Sequence, residues 1–237
     1  EQKLSETKHI TDLLELFDRS TPLHKKEEAE GDRLNDDQKS TSSLFESIAQ
    51  IDEGAHQSAT SHLNNIKEPT ENQKIAGNYK KGHVVFSDLK ISIENPKGSV
   101  RKGIDETGKS WEVKIKNHYG DINGTTGADG DPVDVFLGEN EEAEYVYIVH
   151  QVDPDTKKYD EDKVMLGFNS EDDAKSAYLS NYEEGWKGLG NITTLSISDF
   201  KDKLKITKNG EQVSFLESVE SKSFSPLDRF LALMSHH

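Results

Sequence analysis

Residues 89–95 read LKISIEN, and their alternation decides how the middle of the chain is built. Leu89, Ile91 and Ile93 fall on one face of an extended backbone, with Ser92 and Glu94 on the other, the period-2 pattern of a half-buried strand. The same alternation recurs in WEVKIK (111–116), where Trp111, Val113 and Ile115 oppose Glu112, Lys114 and Lys116. VDVFLG (133–138), EYVYIVHQV (144–152) and DKVMLGF (162–168) continue the series. Turn signals separate them: NPKGS, DETGK and the glycine-rich run from Gly120 to Gly130. Five short strands with little room for crossover helices predict a small antiparallel barrel, with a sandwich as the alternative.

Helices are expected only afterwards. Ser170 reads as an N-cap with Asp173 at the capping-box position, and Ala174, Ala177, Tyr178 and Tyr182 form one stripe. Gly185 suits a left-handed C-terminal cap, and Ser198 a cap for a second short helix, DFKDKL. Strands followed by helices at one end make an α+β domain.

Residues 1–69 contrast with this. They are polar and poor in aromatics, and KKEEAEGDRLNDDQKSTSS (25–43) reads as a solvated, partly disordered linker. Two islands, Ile10, Leu13, Leu14, Phe17 and Leu44, Ile48, Ile51, Ala55, have the spacing of amphipathic helices. Pro69–Thr70 marks the expected boundary, giving segments 1–69, 70–205 and an apolar tail, 206–237, that includes PLDRFLALM. The helices near 10–19, 44–55 and 224–234 are candidates for docking or homo-oligomer contacts. The opening at Glu1 reads as a processed or excised start, and His236 and His237 as a purification-tag remnant.

The 237 residues carry a formal net charge of -16, with 45 acidic side chains against 29 basic. This argues against nucleic acid as the main partner, because phosphate backbones demand a basic footprint. An anionic substrate would need divalent cations for screening. The absence of cysteine excludes disulfides and thiolate metal sites and favours a cytoplasmic protein. No stretch approaches the roughly 18 apolar residues of a membrane span.

The chemistry concentrates in DGDPVDV (129–135). On an unbroken strand Asp129 and Asp131 would share a face and Asp134 would point away. Pro132 supplies a break that could re-aim a side chain, so the three carboxylates are expected to converge on a cation. A hand-type calcium loop fails on spacing: the twelfth position is Asn140 counted from Asp129, and Pro132 counted from Asp121. His83, His118 and His150 show no close metal spacing. Tyr145, Tyr147 and Trp111 are expected in the core.

DGDPVDV matches the signature of the soluble, metal-dependent inorganic pyrophosphatases, and the chain resembles that family over roughly residues 84–190. NHYGDING, ISIENPKGSVRKGID, VDPDTKKYDEDK and GWKGLG resemble its other active-site segments. The framing by GNYKKGH, KVMLGF and GWKGLG is closer to the pyrophosphatase-like domains of multidomain phage and mobile-element proteins. The resemblance implies an OB-like five-stranded barrel that cleaves pyrophosphate into two phosphates with Mg²⁺, Mn²⁺ being a possible substitute. It implies Glu94, Asp129, Asp134, Asp153 and Asp160 at the metals, with Glu161 or Asp162 as substitutes for one of the last two. Asp131 is implied as general base, Tyr119 beside it, and Arg101, Lys114, Lys163, Trp186 and Lys187 as the phosphate clamp. Two departures stand out: no arginine lies between Arg101 and Tyr119, and Trp186 replaces a tyrosine. They motivate two alternatives, a hydrolase of nucleotide or dinucleotide diphosphates, and a non-catalytic metal-binding interaction module.

Overall fold

The computed structural model describes residues 46–104, 108, 110–207 and 212–215, without the side chains of 104, 206 and 207. The expected islands at 10–19 and 224–234 lie outside these residues. A helix over 46–55 (α1) comes first, then α2 (Glu71–Ile75) and strands β1 (Gly82–Phe86) and β2 (Leu89–Asn95). There follow β3 (Val100–Ile104), β4 (Ser110–Lys114), β5 (His118–Ile122), β6 (Asp134–Leu137), β7 (Tyr145–Val152) and β8 (Tyr159–Leu166). Helix α3 (Glu171–Ser180), β9 (Ile192–Ser196) and α4 (Ile197–Thr207) complete the order.

The fold is α+β, but the five-stranded antiparallel, OB-like barrel is corrected. Seven strands form one sheet in the order β1-β2-β5-β6-β8-β7-β9, and β3 and β4 stand apart as a two-stranded ribbon. The sheet ends at β1 and β9 instead of closing, and β6 pairs with β8 in parallel. The reason lies at β6. Val135, Phe136 and Leu137 are all buried, as in a strand covered on both faces, which is the usual setting of a parallel pair. One face of the sheet packs Val135, Leu137, Ile148 and Val164 against Phe200 and Leu204 of α4, together with Phe215. The other packs Phe136, Val149 and Met165 against Ala174 and Tyr178 of α3.

Several local expectations hold. Ile91 and Ile93 are fully buried and Glu94 is not. The Ser170 hydroxyl accepts the Asp173 N–H at 3.1 Å to cap α3. The cap of α4 is Ser196, not Ser198: its hydroxyl accepts the Asp199 N–H at 3.0 Å. Gly185 is left-handed at φ 82° but lies beyond the C-cap, Asn181. Ile51 and Ala55 of α1 pack against the sheet. No helix of the described residues is long and apolar enough to cross a membrane.

Candidate active site

Asp134 opens β6, and its Cα partner across the parallel ladder is Lys163 of β8. The side period of two then puts Glu161 on the same face as Lys163. The Lys163 ammonium, 4% exposed, contacts Asp134 Oδ2 and lies 2.8 Å from Glu161 Oε2 and 3.2 Å from the Tyr119 hydroxyl. An ammonium has three N–H groups, and all three are taken. Burial alone would make Lys163 easier to deprotonate, but the oxygens of Tyr119, Asp134, Tyr182 and Glu161 hold its pKa well above the ordinary lysine value. Burial, and then the nearness of Asp134, push the Glu161 carboxyl up to about 7 against the pull of Lys163. Two carboxylates share one cation here.

The cationic wall is completed by Arg101 of the ribbon. Its guanidinium lies 4.7 Å from the centre of the Tyr119 ring, a cation–π distance. Burial, the first influence, pushes the Tyr119 phenol up, which keeps it protonated as a donor. Glu94 is the extra residue of a β-bulge between β2 and β5, which frees its side chain from the ladder alternation. It pairs with Lys81 at 2.7 Å, and Lys81 also reaches Asp121 at 2.8 Å. Beside them Tyr79, half-buried, is pushed up to about 12 by burial and by Glu94. Gly120 lets β2 and β5 meet, since a Cβ there would come within 2.0 Å of the Ser92 carbonyl oxygen.

The aspartate loop is organised differently. Gly130 adopts φ 96°, and the turn is closed by the Asp131 N–H donating to Asp129 Oδ1 at 3.0 Å and the Gly127 N–H donating to the Asp131 carbonyl at 2.6 Å. Asp129 and Asp131 are exposed. Asp129, Asp134, Glu161 and Asp162 line one depression, whose wall includes Val213 and Phe215. These two come from the short segment 212–215. The Val213 N–H donates to the Thr126 carbonyl at 2.9 Å, and the Phe215 N–H to Asp162 Oδ2 at 3.2 Å, tying the loop to β8.

Of the residues singled out in the sequence, the structure brings together Asp134, Lys163, Tyr119 and Arg101, with Asp129 on the same depression. Asp153 is elsewhere: it caps the β7–β8 turn, accepting the Thr156 N–H at 2.6 Å, a bond that holds its pKa below the usual carboxylate value. Lys114 and Lys187 are exposed. Trp186 has its N–H directed to the Tyr178 hydroxyl at 3.0 Å and its ring stacked on Tyr182 at 4.6 Å. Asp160 is the extra residue of a bulge between β7 and β8, and the carboxylate beside Asp134 and Lys163 is that of Glu161. The sequence contained that signal, because only a residue two before Lys163 shares its face. Lys81, Asp121 and Tyr79 were missed, and no local pattern marks a partner 13 or 40 positions away.

Among the described residues, no three His, Asp or Glu side chains close around a point by themselves. The donor set still fits a hydrated hard cation. It is all oxygen, two of its carboxylates adjoin, and Mg²⁺ keeps several waters and is commonly held by one or two carboxylates.

The depression is oxygen-rich and acidic, and a buried ammonium, Lys163, contacts two of the carboxylates that line it. The family model for inorganic pyrophosphatase matches residues 71–205, more than half of the chain, and the chain belongs to that family. No curated protein matches the sequence. A solved structure, described as an inorganic phosphatase from Anaplasma phagocytophilum, is 18% identical over 55% of this chain and 93% of that one. The TM-score is 0.29, so that superposition bears on neither the fold nor the chemistry.

Proposed function

We propose that the chain hydrolyses inorganic pyrophosphate to two phosphates at the acidic depression, with Mg²⁺ as cofactor and Mn²⁺ as a substitute. The supporting observation is the shared cation: Asp134 and Glu161 are held so close that Lys163 must balance both. Such a pair is a poor arrangement for a stable surface and a good one for receiving a divalent ion. Asp134, Glu161 and Asp129 would hold the ion, with Glu94 orienting water nearby. When bound, it supplies charge neutralisation for the substrate and a more acidic water.

The chain's own groups do the rest. Asp131, exposed on its turn, takes the proton of the attacking water, a contribution of about 10² to 10⁴ in rate. The water oxygen bonds to one phosphorus, the bridging P–O bond breaks, and its electron pair leaves with the second phosphate. Arg101 and the Tyr119 hydroxyl would meet the phosphoryl oxygens and offset their developing charge, joined by Lys163 once Asp134 and Glu161 turn away from it toward a bound ion.

Phosphate release should be followed with pyrophosphate and Mg²⁺, and in parallel with ADP-ribose and nucleoside triphosphates. Pyrophosphate is expected to be the preferred substrate, and Asp131→Asn to remove turnover while Mn²⁺ still binds. Faster hydrolysis of a nucleotide would transfer the site to that class. No turnover on any diphosphate by the folded protein would leave a binding module.

A further inference from the structure

We propose that Gln151 is a positioning residue that fixes the Glu161 carboxylate in the acidic depression, a role that rests on the pyrophosphatase reading above. Gln151 lies on β7, is 5% exposed, and is the Cα partner of Glu161 across the β7–β8 ladder. Antiparallel partners project to the same face of a sheet. The β-bulge at this point sets two residues of β8, Asp160 and Glu161, against Gln151 alone. The side-chain amide uses this arrangement fully. Its N–H groups donate to Glu161 Oε1 at 2.8 Å and Asp160 Oδ2 at 3.0 Å. Its carbonyl oxygen accepts from the Tyr178 hydroxyl at 2.7 Å and the Tyr182 hydroxyl at 2.8 Å.

The orientation of the amide is therefore decided by chemistry. A flipped amide would aim its oxygen at the Glu161 and Asp160 carboxylates, acceptor against acceptor. The hydroxyls are themselves held. Trp186 Nε1 donates to the Tyr178 oxygen at 3.0 Å, and the Tyr182 ring is stacked on Trp186 at 4.6 Å and packs tilted against Tyr178 at 4.7 Å. Burial pushes both phenols up and so keeps them protonated. A continuous series of hydrogen bonds thus runs from Trp186 through Tyr178 and Gln151 to Glu161, and Glu161 meets Lys163. Through this amide, helix α3 and the turn after it reach the Glu161 carboxylate.

Outer partners of this kind are typically worth about 10- to 100-fold in metal affinity or activity. The test uses the full chain and three variants. Gln151→Met keeps length and burial but removes both donors. Gln151→Glu keeps the shape and still accepts from both phenols, but sets a third carboxylate against Asp160 and Glu161. Tyr182→Phe removes a single oxygen that touches the amide and not Glu161. Mn²⁺ affinity without substrate, pyrophosphate kcat and KM, and thermal unfolding are measured for each.

The expected result is a Mn²⁺ affinity lowered about 10- to 100-fold in Gln151→Met, a larger loss in Gln151→Glu, and a smaller one in Tyr182→Phe. Turnover should fall through kcat, with KM changed less than about threefold. Wild-type Mn²⁺ affinity in Gln151→Met would overturn the assignment. Should both Gln151 variants fail to fold, Tyr182→Phe decides: unchanged Mn²⁺ affinity in that variant overturns it equally. Absence of Mn²⁺ binding by the wild type would do the same. A wild type that binds Mn²⁺ without cleaving pyrophosphate would remove the proposed function alone, since the Gln151 assignment is read from the ion.

Discussion

The two halves of the site are held in opposite ways. Lys163, Asp134 and Glu161 sit on the central parallel pair β6–β8, where ladder register and burial on both faces fix them. Asp129 and Asp131 sit on an exposed turn held by its own short-range hydrogen bonds and by the segment 212–215. Charges on the first half are part of the fold, whereas those on the second are carried by it. Substitutions should therefore separate the halves: stability and activity lost together on β6–β8, activity lost alone on the turn.

The largest effect is expected for Lys163→Met. Removing one partner of a buried ion pair typically costs about 3–5 kcal/mol, because the other charge stays behind. Here two carboxylates would be left facing one another. Urea unfolding at pH 8 should show a loss of that size, with no measurable pyrophosphatase activity. Asp131→Asn is the counterpart, with turnover down by about 10² or more and unfolding free energy within about 0.5 kcal/mol of wild type. A strongly destabilised Asp131→Asn would erase the distinction between the halves.

A smaller effect concerns pH. The Glu161 carboxyl is pushed from the ordinary 4.5 up to about 7, so between these values the folded chain binds more protons than the unfolded one. Stability then falls as pH rises through this window. Thermal unfolding of the metal-free protein should show a lower Tm at pH 8 than at pH 5 from this group. Glu161→Gln, which cannot ionise, should flatten that part of the profile. A profile identical in the variant would mean that Lys163 balances both carboxylates fully.

Much of this was legible in the sequence, for physical reasons that also mark the limit. Alternation in WEVKIK gives the strand and its faces correctly, because burial on one side is a local property, and in LKISIEN it places Ile91 and Ile93 in the core but misses that Ser92 between them is buried too. It fails at β6, where all of Val135, Phe136 and Leu137 are buried and no alternation remains to say which strand lies alongside. Hence a barrel was expected where a mixed open sheet stands. In the site, the aspartate motif was readable from the residues themselves, and Lys163 from the family resemblance of its segment. Lys81, Asp121 and Gln151 were not, since their roles depend on bulges and pairings between strands distant in the chain.

The smallest expected effect discriminates within the ribbon. Arg101 and Lys114 were both candidates for the phosphate clamp, and they sit on neighbouring strands. The Cα partner of Arg101 is Val113, so the two share a face, the one from which the guanidinium reaches Tyr119. Lys114 is partnered with Val100, which is 42% exposed, and lies on the outward face with Glu112 and Lys102. One residue of offset along a strand reverses the direction of a side chain. Lys114→Ala should therefore leave kcat, KM and Tm unchanged within error, while Arg101→Lys should lower turnover because an ammonium cannot reproduce a planar, bidentate donor. A substantial rise in KM for Lys114→Ala would show that the ribbon presents its other face to the substrate, and would place the phosphate clamp on the opposite side of β4 from Arg101.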